Sequence, residues 1–251
     1  MFSNKYIFTY ASVMVILVAA ILSSASMLLK PYQEANVKAE KIQGILASAN
    51  VTTDRDQAEN IYQQHIVEEL AVDSSGNVVS RYRHDSLIEG KVRPFNIDVK
   101  EALLRKQAIK RGESTDPPFW PIFVLEKDGK KFYIVPLRGV GLWGPIWGNI
   151  AFESDFNTIA GATFDHKGET PGLGAEIATP SFEKEFKGKT IFNEKGEFVS
   201  VNVVKGGADP NAPHAVDAVS GGTITSNGVR DMLLNGLDNY IPYIKKNINN
   251  E

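Results

Sequence analysis

From Tyr6 to Leu29 the chain runs through 24 consecutive uncharged residues, bracketed by Lys5 and by Lys30-Pro31. As a helix, such a run reaches roughly 36 Å, enough to cross a hydrocarbon core of about 30 Å with some tilt. Ser24-Ala25-Ser26 has the small-x-small pattern of a signal-peptide cleavage site. The apolar run nevertheless exceeds the roughly 7 to 15 residues of a signal-peptide core and continues past that site, so the reading is an uncleaved anchor. Lys5 flanks one side and Lys30, Lys38 and Lys41 the other, so charge bias does not place the N-terminus in the cytoplasm and leaves the topology open.

An anchor of this kind divides the chain. Residues 1-30 are read as a transmembrane anchor, 31-60 as a juxtamembrane helical segment and 61-251 as one soluble domain. Within the juxtamembrane segment Ile42, Ile45, Leu46 and Ala49 fall at helical spacing, so the membrane helix is expected to pass through Pro31 and lay this apolar face on the domain. Asp54 to Leu70 reads as a short helix, and Val72 to Val79 as a turn between apolar segments. Residues 80 to 118 blur, apart from a helix around Val99 to Lys110, and end in the breaker Asp116-Pro117-Pro118.

Strands are expected at Pro121 to Lys127, Lys131 to Leu137, Trp147 to Phe152 and Ile159 to His166. A helix from Pro180 to Phe186 precedes two further extended stretches, Ile191 to Asn193 and Glu197 to Val204. Val229, Met232, Leu233, Leu237, Tyr240, Ile241 and Ile244 keep helical spacing, which predicts one final helix with Thr225, Ser226 and Asn227 as caps. The fold class is α+β, a single transmembrane helix followed by one soluble α+β domain.

Composition narrows the function. Net charge is −3, with 27 Lys and Arg scattered among 30 acids, so there is no basic stripe for a nucleic-acid partner. No cysteine is present, which removes disulfides, thiolate metal sites and cysteinyl-flavin links. The four histidines, His65, His84, His166 and His214, show no ligand spacing, and no metal is expected.

Three glycine-bearing segments remain. Ser220-Gly221-Gly222-Thr223 leads directly into a helix, and such a start offers a phosphate free backbone donors, a positive dipole end and room for close approach. Taken alone it is a strand-to-helix turn. His166-Lys167-Gly168-Glu169-Thr170-Pro171-Gly172-Leu173-Gly174 is, taken alone, a glycine-rich connection between strand and helix; were a planar ring bound there, Gly172 and Gly174 would let Leu173 lie flat on it and Glu169 and Thr170 could hydrogen-bond to its polar edge. In Gly139 to Gly148, Trp147 reads as core, whereas Leu142 and Trp143 sit in a glycine-flanked turn suited to border a ring.

With Asp217 three residues before Ser220, the stretch Asp217 to Thr223 resembles the D-x-x-(S/T)-G-A-T flavinylation motif of FMN-binding domains in bacterial respiratory complexes. His166 to Gly174 resembles the H-x-x-E-T-P-G-L-G signature of the same domains. The G-x-G-L-W form at Gly139 to Trp143 resembles the NqrC family, subunits of the sodium-translocating NADH:quinone reductases, more than the related flavin subunits of Rnf-type ferredoxin:NAD complexes. The resemblance covers nearly the full length. Gly222 stands where the family usually has alanine.

This resemblance implies an FMN-binding domain with FMN joined by a phosphoester to Thr223, Thr225 being the second threonine of the longer motif. It implies that the chain is one electron-transfer subunit of a sodium-pumping NADH:quinone reductase, not catalytic alone, with the other subunits as partners. A flavin transferase would be required, since no base adjoins Thr223 to activate its hydroxyl, and Asp217 would serve recognition by it. Lys205 is a candidate to neutralise the phosphodiester. The implied location is the bacterial inner membrane, single-pass, with the domain on the periplasmic side. A place in an Rnf-type complex or a non-redox FMN sensor are the alternatives.

Overall fold

The computed structural model describes residues 3–248. Its first element is helix α1, Asn4–Ser48, which runs through Pro31 without a break and is long and apolar enough to cross a membrane. The chain forms two compact units, the first ending at Lys41 and the second beginning at Ile42. In the second unit Ile42, Ile45, Leu46 and Ala49 are buried, as their spacing predicts. The helix closes in a Schellman turn: Asn50 takes φ +58°, its N–H donates to the Ala47 carbonyl, and Val51 N–H donates to the Leu46 carbonyl.

The expected helix over 54–70 is shorter in the structure. A single 3-10 turn leads into α2, Ala58–His65, and Ile66–Val72 is strand β1. Local propensity loses here to tertiary pairing, because β1 is bonded on both sides, to β2 (Val78–Arg83) and to β4 (Trp120–Lys127). Between β1 and β2 the expected turn forms, held by the Asp73 carboxylate, which accepts from Ser75 and Asn77 N–H groups. Strand β3, Ser86–Glu89, is fully exposed and gave no apolar alternation to read. Helix α3 spans Val99–Lys110, as its pattern predicts, and Asp98 caps it by accepting from Lys100 N–H.

Strands β4, β5 (Lys130–Val140), β6 (Pro145–Phe152) and β7 (Ile159–His166) follow as consecutive hairpins. The result is a seven-stranded antiparallel sheet ordered β3-β2-β1-β4-β5-β6-β7. After the short helix α4, Pro180–Glu183, a 3-10 turn reaches Phe186. The expected strand over 197–204 shrinks to β8, Asn202–Val204, which pairs in parallel with β9, Ala215–Asp217. The final helix is two: α5, Thr223–Leu237, and α6, Ile241–Ile248. Pro242 accounts for the break, since in a continuous helix its ring would meet the Asp238 carbonyl and offer it no hydrogen.

Side-chain alternation gives the sheet two covered faces. Ile122, Val124, Ile150, Ala162 and Phe164 join Val229, Leu233 and Leu237 of α5 in one core cluster. Phe123, one residue out of phase, meets Tyr62 of α2 and Phe95 edge-on. On that same face the end of α1 is tied to the sheet, with the Thr163 hydroxyl donating to the Gly44 carbonyl at 3.0 Å. Helix α5 lies unusually close to the end of β5: a Cβ on Gly228 would stand 2.3 Å from the Val140 carbonyl oxygen. Only glycine allows that approach, which seats the second turn of α5 against the strand end.

Candidate functional site

Helix α5 begins at Thr223 with Gly222 as its N-cap residue, and no side chain caps it. Thr225 and Ser226 are therefore not the caps that the sequence suggested. Both are buried in the first turn: the Thr225 hydroxyl donates to Glu169, and Ser226 Oγ accepts from Val219 N–H at 3.0 Å. The first N–H groups of α5 stay available, beside a half-buried Thr223. Gly221, at φ +73°, turns the chain into the helix in a conformation that disfavours any side chain.

The second segment packs against this turn. Leu173 lies over Gly221, where a Cβ would be 2.5 Å from its Cδ2, and Gly174 backs onto Gly222. Thr170 carbonyl accepts from both Leu173 and Ala175 N–H groups, closing a tight loop, and exposed Gly172 at φ +75° donates to Glu176. The third segment arrives through Glu169, whose carboxylate accepts from Trp143 N–H at 2.9 Å and from the Thr225 hydroxyl at 2.6 Å.

Around Thr223, then, three segments distant in sequence converge. They leave an apolar rim facing solvent: Leu142 is 48% exposed, Trp143 68%, Leu173 43% and Ile224 57%. Large side chains held out of the core on hydrogen-bonded turns suit a planar ligand with an apolar face. Ile224 gave no sign of this role in the sequence, since it reads as one more apolar residue of a helix. Trp147, in contrast, is a half-buried strand residue with the Arg138 guanidinium over its ring.

Glu169 departs from expectation. The residue is 5% exposed and both carboxylate oxygens are used by protein donors, so it turns inward instead of presenting itself at the rim. Thr170 is exposed. Asp217 ends β9 and its Oδ1 accepts from Ala208 N–H, closing the loop that carries Lys205, Gly206 and Gly207. Lys205 and Ser220 are exposed on the turns that follow β8 and β9. His214 holds its loop to Thr190 through Nδ1, 2.7 Å from the carbonyl oxygen.

The FMN-binding domain family matches residues 141–238, a span that contains Trp143, Glu169, Thr223 and Thr225. NqrC of the Na(+)-translocating NADH-quinone reductase of Pseudomonas aeruginosa is 31% identical over 258 residues, covering 95% of this chain and 97% of that protein. The corresponding protein of Chlamydia muridarum is 34% identical over 205 residues; there the match takes in 73% of this chain and spans 63% of the relative's length. Among solved structures, NqrC from Parabacteroides distasonis superposes with a TM-score of 0.71 at 43% identity, covering 86% of this chain and 96% of that one.

Proposed function

Because the chain belongs to the NqrC family of the Na(+)-translocating NADH-quinone reductases, we propose that it carries FMN on Thr223 through a phosphoester and relays electrons within such a complex. The observation that carries this reading is the uncapped start of α5 at Thr223, where three segments meet and leave Leu142, Trp143, Leu173 and Ile224 exposed. A phosphoryl group on the Thr223 hydroxyl would meet free N–H groups and the positive end of the helix dipole. A planar ring attached to it would have apolar side chains on which to lie.

FMN supplies the redox chemistry; the residues of this chain bind, orient and shield it. Lys205 would offset the charge of the phosphodiester, and Thr170 would meet the polar edge of the ring. No base adjoins Thr223 in the sequence, so a separate flavin transferase would make the bond. Asp217 holds the adjoining loop closed through Ala208 N–H, which presents that enzyme with an ordered recognition surface. Helix α1 anchors the protein in the bacterial inner membrane with the flavin domain on the periplasmic side, and the other members of the complex supply NADH oxidation, quinone reduction and sodium transport.

The test is Thr223→Ala in a host that expresses the transferase. Flavin fluorescence should vanish from the denatured polypeptide, and the tryptic peptide bearing residue 223 should lose the mass of the FMN adduct. Flavin that still survives denaturation in the variant would place the link elsewhere. Release of all flavin from the parent by acid would reduce the reading to loose binding.

A further inference from the structure

Glu169 is buried, yet among the described residues no cation pairs with it. Its two oxygens instead point to two different segments. Oε1 accepts from the backbone N–H of Trp143, and Oε2 from the side chain of Thr225, two residues beyond the helix start. From behind, Glu169 N–H donates to His166 Nδ1 at 3.1 Å, which fixes the loop that carries the side chain.

The backbone around this carboxylate is cut to its shape. A Cβ at Gly141 would stand 2.5 Å from Glu169 Oε1; one at Gly174 would stand 2.5 Å from Oε2 and equally close to Thr225 Oγ1. Neither glycine has a positive φ, so conformational freedom does not explain them. Their hydrogen side chains give the carboxylate room to reach both donors. A buried anion without a counter-charge is costly, and such costs are retained where geometry at a functional site depends on them.

We propose that Glu169 is a positioning residue: its carboxylate pins the turn bearing Leu142 and Trp143 to the start of α5, and thereby fixes that side of the apolar rim relative to Thr223. The pin is present in the folded chain without flavin. Its purpose rests on the flavin reading of Thr223, while its geometry does not.

Full-length chain made without the transferase, solubilised in detergent, is the material for the test. The readout is amide hydrogen exchange at Trp143, with the core amide of Ile150 as internal control. Removing the acceptor in Glu169→Ala should speed Trp143 exchange about tenfold or more, the loss expected when a hydrogen bond to a charged group is broken. Ile150 should be unaffected.

Two gentler variants separate reach from charge and cover the case in which Glu169→Ala does not fold. Glu169→Asp keeps the charge but withdraws it by one methylene, and should speed Trp143 exchange as the alanine does. Glu169→Gln keeps length and an acceptor oxygen, and should hold Trp143 within about threefold of the parent, since only a neutral hydrogen bond's difference is lost. With transferase present, the flavin midpoint potential should shift in Glu169→Asp, because the rim moves relative to the ring. Parent-like Trp143 exchange in Glu169→Asp, or equal loss in Glu169→Gln and Glu169→Ala, would overturn the proposal. Absence of covalent flavin from every protein, parent included, would sink the flavin reading and leave the exchange result standing.

Discussion

Two buried glutamates stand in different parts of the domain, and they are treated in opposite ways. Glu69, in β1, is 1% exposed; it accepts from Arg93 in a bidentate pair, from Tyr62 at 3.0 Å and from Phe95 N–H at 3.0 Å. The Arg93 guanidinium also lies 4.1 Å over the Tyr82 ring. Glu169, beside α5, has an amide and a hydroxyl for partners. The first is a matched charge that locks the segment before α3 to the sheet. The second is unmatched and sits under an exposed apolar rim. The fold secures itself at Glu69 and keeps a costly arrangement at Glu169.

Burial shapes the matched cluster's proton states as well. It pushes the Tyr62 phenol well above its usual range, so Tyr62 remains a donor to Glu69. Burial also works against the charge on Arg93, but the hydrogen bonds and charge of Glu69 outweigh it and hold the guanidinium protonated. Among the described residues, no arginine or lysine plays that part at Glu169.

The contrast can be broken from the Glu69 side first. Arg93→Ala would strand a buried carboxylate, and a loss of about 3 kcal/mol is expected in urea unfolding. A loss of under about 1 kcal/mol would mean that Glu69 is no better matched than Glu169. On the other side, Gly174→Ala drives a methyl group into Glu169 and Thr225 and should cost about 1–3 kcal/mol, the range of an overpacked site. That variant should also speed Trp143 exchange, whereas Arg93→Ala should leave it alone.

Smaller effects sharpen the picture. An alanine Cβ at Gly222 would lie 3.1 Å from Val219 Cγ1 and 3.3 Å from Gly174, and residue 222 has a negative φ of −103°. Gly222→Ala should therefore change stability by less than about 1 kcal/mol and leave the yield of covalent flavin close to that of the parent. Glu183 offers the smallest test. Burial raises its pKa, the Phe164 N–H lowers it in part, and the charge of Asp165 raises it further. A raised native pKa favours the protonated, folded form at low pH, and that contribution is lost as pH climbs from about 4.3 through the raised value. Glu183→Gln should flatten this pH dependence of the unfolding midpoint, by well under about 1 kcal/mol given solvent screening.

Much of this fold was legible residue by residue. Helix α3 and strand β7 have the limits their patterns predict, because each satisfies its hydrogen bonds or its apolar face over a continuous stretch. What the patterns missed depends on distant partners. Ile66 to Leu70 turns from helix to strand because it is flanked by β2 and β4, and β3 is a strand only because β2 lies beside it. The parallel pairing of β8 with β9 has no local signature at all. At the site, the segments and Thr223 stood out through their glycines, but the inward turn of Glu169 did not. Gly141 and Gly174 were its traces, readable only once residues 141, 169, 174 and 225 are known to be neighbours.

The Glu169 contacts join residue 143 to residue 225, and the seat they make has no existence in a shorter stretch of chain. During synthesis, β5 and β6 emerge well before the helix they must meet. If Thr223 is the flavin acceptor, as proposed, then on a nascent or unfolded chain it would be only a hydroxyl on a flexible strand, without a helix dipole behind it or apolar side chains beside it. On the proposed reading, completion of the C-terminal helix is what would make Thr223 recognisable, and attachment of flavin would be confined to molecules that have already folded.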